Sequence, residues 1–272
     1  MKRYKFAGLP YIVWSIIFVL VPLGIVAVYA LTTPDGTWTI SNISKVSMYT
    51  PVFMRSIWFA FLATIICLLL GYPLAFIMSR MLPNKQRTMV MLIMLPMWIN
   101  FLLRTYSWMT ILENNGIINS IITAFGFEPL RMINTQGAVI LGMVYNYLPF
   151  MILPLYTIMI KIDKSIIEAA KDLGANWFNT LKNVIIPLTI PAITTGITMV
   201  FVPSISTFII SRMLGGGSNM LIGDLIDAQF LGNAYNPNLG AAISLILMVF
   251  ILLFMSILNQ FEENDDREGM LL

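Results

Sequence analysis

The chain has 272 residues, 58% of them hydrophobic and 11% charged, with a net charge of +3. Soluble domains carry about 25% charged residues, so a surface facing mainly water is excluded. Charges gathered between long apolar runs describe a polytopic membrane protein. With 0 histidines, Ser-His and Cys-His nucleophiles and H-E-x-x-H zinc sites are excluded. The single cysteine, Cys67, lies in an apolar run and excludes an intrachain disulfide.

Six stretches reach the roughly 20 apolar residues that a helix needs to cross a ~30 Å hydrocarbon core. In chain order they are Tyr11–Leu31, Phe53–Ser79, Thr88–Met109, Ala138–Ile160, Val184–Ile210 and Leu239–Leu258. None shows the alternation of a transmembrane strand. The expected fold is therefore all-α, integral to the membrane, one domain over 1–272. The first stretch has a basic start and a passable cleavage site at Val28-Tyr29-Ala30. Its apolar run of about 20 residues exceeds the 7–15 of a signal peptide, so it is read as an uncleaved span.

Orientation follows from Lys and Arg near the span ends. With the N-terminus inside, eleven of the 16 basic residues fall on inner segments. They are Lys2, Arg3 and Lys5; Arg80, Lys85 and Arg87; Lys161, Lys164, Lys171 and Lys182; and Arg267. Lys45, Arg55, Arg104, Arg131 and Arg212 fall outside or at the outer boundary. Both termini are expected in the cytoplasm.

The loop 161–183 joins the fourth and fifth spans. Ser165 is expected to begin a short helix, with Glu168 completing a capping box, and Gly174 to end it in the left-handed conformation. Asn176 is expected to cap a second short helix, with Phe178 and Leu181 on one face. Ala170 and Gly174, four apart, form a small-residue strip that lets another backbone approach. Taken alone, this is also what an ordinary interfacial helix pair looks like, with Glu168 capping its own helix.

Glu168-Ala169-Ala170, three residues, Gly174, nine residues, then Val184-Ile185-Ile186-Pro187 resembles the EAA motif of binding-protein-dependent ABC importer permeases, E-A-A-x3-G-x9-I-x-L-P. Val stands here for Ile and Ile for Leu. The resemblance implies the type I importer permease (MetI-like) fold, with six transmembrane helices. It implies further that this loop is a coupling helix docking in a cleft of a cytoplasmic ATPase. Glu168, Ala169, Ala170 and Gly174 would form the dock, and Pro187 would begin the following span. Leu95–Tyr106, Val144–Tyr156 and Gly215–Ile226 look like the B-type permease subunit of spermidine/putrescine importers. That likeness implies a second, similar permease subunit, two ATPase copies and an external polyamine-binding protein. Related permeases for thiamine, ferric iron, phosphonates or opine-like amines share the same spans.

The chain contains no G-x-x-x-x-G-K-[ST] sequence, so nucleotide binding falls to a partner. No metal, cofactor or nucleic-acid site is expected, and the 20 Met residues read as apolar filler. Pro149 and Pro154 in the fourth span, and Pro187, Pro191 and Pro203 in the fifth, mark where helices deform. A polyamine would use carboxylates, and aromatic faces worth about 0.5–2 kcal/mol each. The span centres hold no acid. Glu113, Asp224 and Asp227, with Trp98, Tyr106, Tyr145 and Tyr147, are expected to line the outer mouth of a path. The competing reading is solvated loop acids beside an interfacial aromatic belt. Arg104 and Arg212 oppose a cation unless neutralised. Pairing with Glu113 or Asp224, contact with a binding protein, and snorkelling all stay open for them. Gly215-Gly216-Gly217 reads as a flexible loop, and the tail from Glu262 as a solvated cytoplasmic end.

Two rival classes fail on composition. An intramembrane aspartyl enzyme needs two carboxylates sharing a proton, and Gly223-Asp224 has Leu221 where a G-x-G-D motif has its first Gly. A secondary transporter or channel would place ionisable groups inside the spans.

Overall fold

A computed structural model describes residues 9–232 and 234–269, with the side chains of 9, 259 and 261–269 excepted. Lys2, Arg3, Lys5 and the side chains of the tail from Glu262, Arg267 included, lie outside the described residues. Among those described, the regular structure is helical apart from one isolated antiparallel bridge, Thr32–Trp38. The helices are α1 (Pro10–Ala30), α2 (Ser41–Ser79), α3 (Pro83–Met94), α4 (Phe101–Leu112), α5 (Ile117–Ala124) and α6 (Gln136–Met159). They continue as α7 (Lys164–Asp172), α8 (Trp177–Ser206), α9 (Ile209–Leu214), α10 (Ile222–Phe230) and α11 (Pro237–Gly269).

Five of these, α1, α2, α6, α8 and α11, are long and apolar enough to cross a membrane. The third predicted span, Thr88–Met109, is not one straight helix. Its two parts, Pro83–Trp98 and Phe101–Ala124, meet at 89° and make a sixth span only if counted as one broken element. The cause is local. Leu95–Trp98 tightens into a 3-10 turn around Pro96, and Ile99 and Asn100 are extended, with ψ of 140° and 132°. Asn100 then caps α4, its Oδ1 accepting the Leu102 N–H at 2.8 Å. Arg104 Nη1 donates to the Pro96 carbonyl at 3.0 Å across the break.

The fifth span also begins differently from the expectation. Pro187 does not start it: the helix is already running from Trp177, and a π turn at Leu181–Ile185 precedes Ile186-Pro187. A wider turn fits there because proline has no N–H for the regular i→i−4 bond.

The chain forms two compact units. One contains the residues up to Phe53 together with Leu225–Leu253; the other contains Met54–Asp224 together with those from Phe254 onward. In the first unit two buried amides hold the end of α1. Asn42 Nδ2 donates to Ala30 O at 3.2 Å and Thr32 O at 2.8 Å. Asn238 Nδ2 donates to Tyr29 O at 3.0 Å and Thr32 O at 2.7 Å. Carbonyls at a helix end have no partner within the helix, and lipid offers none.

In the second unit α6 packs along α8 around Met143, Met151, Ile152, Leu155 and Val200. Gly196 makes that approach possible: a Cβ there would sit 2.6 Å from the Met151 sulfur. Close helix packing through small residues is the rule where no hydrophobic effect separates helix from lipid.

Replacing Asn238 by Leu removes the buried side-chain amide that bonds the Tyr29 and Thr32 carbonyls. We expect a loss of about 1 kcal/mol and a lower midpoint in thermal unfolding of the purified chain. An unchanged midpoint refutes that role for Asn238.

Candidate functional site

The loop between α6 and α8 is built by caps. Asp163, not Ser165, begins α7: its carboxylate accepts the Ser165 N–H at 3.0 Å, which holds the Asp163 carboxyl below its ordinary range. The Ser165–Glu168 capping box is thereby replaced, because the chain turns two residues earlier than the pattern suggested. Glu168 makes no hydrogen bond or ion pair among the described residues and is exposed, as is Ala169. Gly174 ends the helix at φ +85°. Its N–H donates to Lys171 O at 2.8 Å, and that of Ala175 donates to Ala170 O at 3.0 Å. These two bonds make a Schellman motif. Gly174 is therefore a backbone requirement, since it adopts the conformation that other residues resist, while the carbonyl at 170 would be offered by any residue. Asn176 caps the next helix as expected, accepting the Asn179 N–H at 2.8 Å.

Ile167 anchors α7 to the span ends, packing with Ile162 and Ile185. The opposite character appears at its tip. Leu173 is 90% exposed, and Phe178 is 66% exposed on the first turn of α8. Two large apolar side chains are thus left uncovered at this end of the loop. Sequence reasoning passed over Leu173 because it sits next to the motif glycine without belonging to the motif. Its position at the C-cap of an amphipathic helix was the available signal.

Beneath α7 is a cleft of about 290 Å³ bordered by Phe76, Arg80, Lys164, Glu168, Lys171 and Trp177. The Arg80 guanidinium lies 5.4 Å from the Phe76 ring centre, and its Nη1 donates to Ile162 O at 3.3 Å. Burial lowers the Arg80 pKa from its ordinary value.

Of the seven residues expected at an outer mouth, the six in the second unit do not form one cluster. Trp98 is 71% exposed at the broken span, and Tyr106 and Glu113 are also exposed. Tyr145 lines a pocket of about 190 Å³ with Ile99, Arg104, Ser107 and Trp108. There the Trp108 ring meets Tyr145 edge-on at 5.2 Å, and the Arg104 guanidinium lies 5.8 Å from the Tyr145 ring centre. Tyr147, two residues on, turns into the core instead. It is 9% exposed and donates to Pro203 O at 3.4 Å, so it lines no mouth in this conformation.

Asp224 is likewise a correction to that grouping. It is 7% exposed, accepts the Leu221 N–H at 2.9 Å and stands 4.0 Å from Arg212. It thus holds the first turn of α10 and balances Arg212, one of the pairings left open. Asp227 lies in the first unit, half-buried on α10. Arg104, the other open case, belongs to the broken span, where Pro96 O is its partner.

Residues 71–264 match the model of the family described as binding-protein-dependent transport system inner membrane component. The chain is 39% identical over 250 residues to the spermidine/putrescine transport system permease protein PotB of Haemophilus influenzae, covering 88% of this chain and 87% of that one. It is 38% identical over 247 residues to the protein of the same name from Escherichia coli, covering 87% and 89%. Among solved structures, a chain of a bacterial ABC transporter involved in the import of the acidic polysaccharide alginate superposes with a TM-score of 0.75. Identity there is 17%, over 94% of this chain and 93% of that one. A chain of the inward-facing MetNI methionine ABC transporter superposes at 0.60, with 16% identity over 82% and 98%. The all-helical fold is thus that of ABC importer permeases, and the chain belongs to the family of binding-protein-dependent transport system inner membrane components.

Proposed function

We propose that the chain is the permease subunit of an importer for polyamines, driven by a separate ATPase. The observation that carries the cargo is the 38–39% identity, over 87–88% of the chain, to permeases named for spermidine and putrescine. The absence of a phosphate-binding loop in this sequence supports an external source of energy. In this reading two ATPase copies act from the cytoplasm, a second similar permease subunit pairs with this one, and an external binding protein delivers the polyamine. The chain itself performs no covalent chemistry, and residues 1–272 work as one permease domain. The family match, running through 71–264, draws on both compact units. Both termini and the loop 161–183 face the cytoplasm, a reading supported by the eleven basic residues on that side.

Coupling runs through α7. Glu168, Ala169, Ala170 and Gly174 present the docking helix, Leu173 and Phe178 supply apolar contact, and Pro187 follows the π turn within α8. ATPase closure pulls on this helix and shifts the spans between inward-open and outward-open states. Differential binding of a few kcal/mol is enough to bias such a pair of states. On the outer side, Trp98, Tyr106, Glu113 and Tyr145 form the approach of the cation. Tyr147 and Asp224 act indirectly by fixing α6 and α10, and Asp227 adds a carboxylate from α10.

Proteoliposomes holding the complete importer should accumulate radiolabelled spermidine or putrescine only with ATP and binding protein present. Uptake of thiamine, iron or a phosphonate in place of polyamine overturns the cargo, and uptake without the ATPase overturns the class. Glu168→Lys should abolish ATP-driven uptake. Leu173→Ala should weaken ATPase association about tenfold, as expected for losing about 1.5 kcal/mol of apolar burial. Retained coupling in both variants removes α7 from the mechanism. Glu113→Gln and Asp227→Asn should each raise the half-saturating polyamine concentration severalfold without loosening the ATPase. Identical uptake kinetics exclude these acids from the path.

A further inference from the structure

The cleft beneath α7 has a charge balance that the docking role leaves unexplained. Three cations, Arg80, Lys164 and Lys171, border it against one acid, Glu168. Arg80 pairs with no carboxylate among the described residues. Its Nη1 reaches the Ile162 carbonyl, while Nε and Nη2 are buried without any hydrogen-bond partner. A guanidinium in that state is costly unless an anion completes its fork of donors.

The position of the cleft says which anion suits it. Arg80 is one residue beyond the end of α2 at Ser79, and Trp177 opens α8. In the orientation proposed above, both belong to the cytoplasmic ends of apolar helices, the side on which headgroups of the inner leaflet are met. Its lining combines an aromatic pair, the Phe76 and Trp177 rings 5.1 Å apart, with the cations, Arg80 lying over Phe76. An inorganic ion gains nothing from the aromatic pair. A headgroup with its glycerol stem uses both. Leu173, the exposed apolar tip of α7, is not among the lining residues, so the cleft meets the proposed docking surface at Glu168 and leaves that tip outside it.

We infer that this cleft binds the phosphodiester headgroup of an anionic phospholipid, with Arg80, Lys164 and Lys171 as its counter-charges. The lipid then ties the docking helix to the end of α2 and acts as a structural part of the coupling loop. Neither the cargo nor the ATPase enters into lipid binding at this cleft, so its test requires no transport.

The full-length chain, extracted in a neutral detergent and stripped of lipid, is titrated with phosphatidylglycerol, phosphatidylcholine or inorganic phosphate. Bound lipid is counted by native mass spectrometry. The expected result is retention of phosphatidylglycerol, no comparable retention of phosphatidylcholine, and no competition by millimolar phosphate. Arg80→Gln should lower retention. The double variant Lys164→Gln/Lys171→Gln, whose side chains are exposed and leave the fold intact, should lower it about tenfold. That second variant remains decisive if Arg80→Gln fails to fold. Equal retention of phosphatidylcholine, displacement by free phosphate, or unchanged retention in the lysine variant overturns the inference. So does unchanged lipid retention accompanied by weaker ATPase association, which would assign the cleft to a protein carboxylate.

Discussion

A backbone amide or carbonyl inside a bilayer has no water to bond, and each one left unmade costs several kcal/mol. Long helices meet that constraint by themselves, but their ends and breaks do not, and side chains in this protein collect at those places. Asn42 and Asn238 converge on the carbonyls at the end of α1. Asn100 and Arg104 serve the two sides of the broken third span. Asn119 holds the loop after α5, bonding Glu113 O and both backbone groups of Leu130. The few strong polar side chains near the spans are largely engaged in closing backbone bonds.

The same logic explains the loop between α6 and α8. Its family motif reads as a string of small residues around one glutamate, and the geometry gives that string a reason. Asp163 and Asn176 start two helices, and a Schellman turn between Ala170 and Gly174 stops the first. Ile167 pins it to the span ends. With Asp163 as the cap and the Gly174 and Ala175 amides bonded within the turn, Glu168 is not needed to close the helix. A rigid, capped helix can transmit a push, because little of the motion is absorbed in fraying.

The outer residues show the opposite relation between pattern and place. Tyr145 and Tyr147 look equivalent in the sequence, yet two residues on a helix turn side chains by about 200°. One faces Arg104 and Trp108, and the other faces the Pro203 carbonyl. Asp224 and Asp227 share a helix face by spacing, but Asp224 is taken up by the start of α10 and by Arg212. A list of acids and aromatics cannot distinguish a residue that meets cargo from one that meets its own backbone, since both need the same chemistry.

Apolar run lengths, charge placement and one fixed spacing were enough, by themselves, to establish a helical membrane protein, the family and the place of its motif loop. These properties are legible in one dimension because lipid imposes length and composition directly on each segment, and because the Schellman spacing is local. Where the third span breaks, where α8 begins, and which side chains end up buried were decided by the tertiary structure. Pro96 and Asn100 permit a break, but the Arg104 bond across it is read only in three dimensions. The pairing of Asp224 with Arg212 on consecutive helices, and the unpartnered nitrogens of Arg80 beside the Ile162 carbonyl, likewise depend on how elements pack.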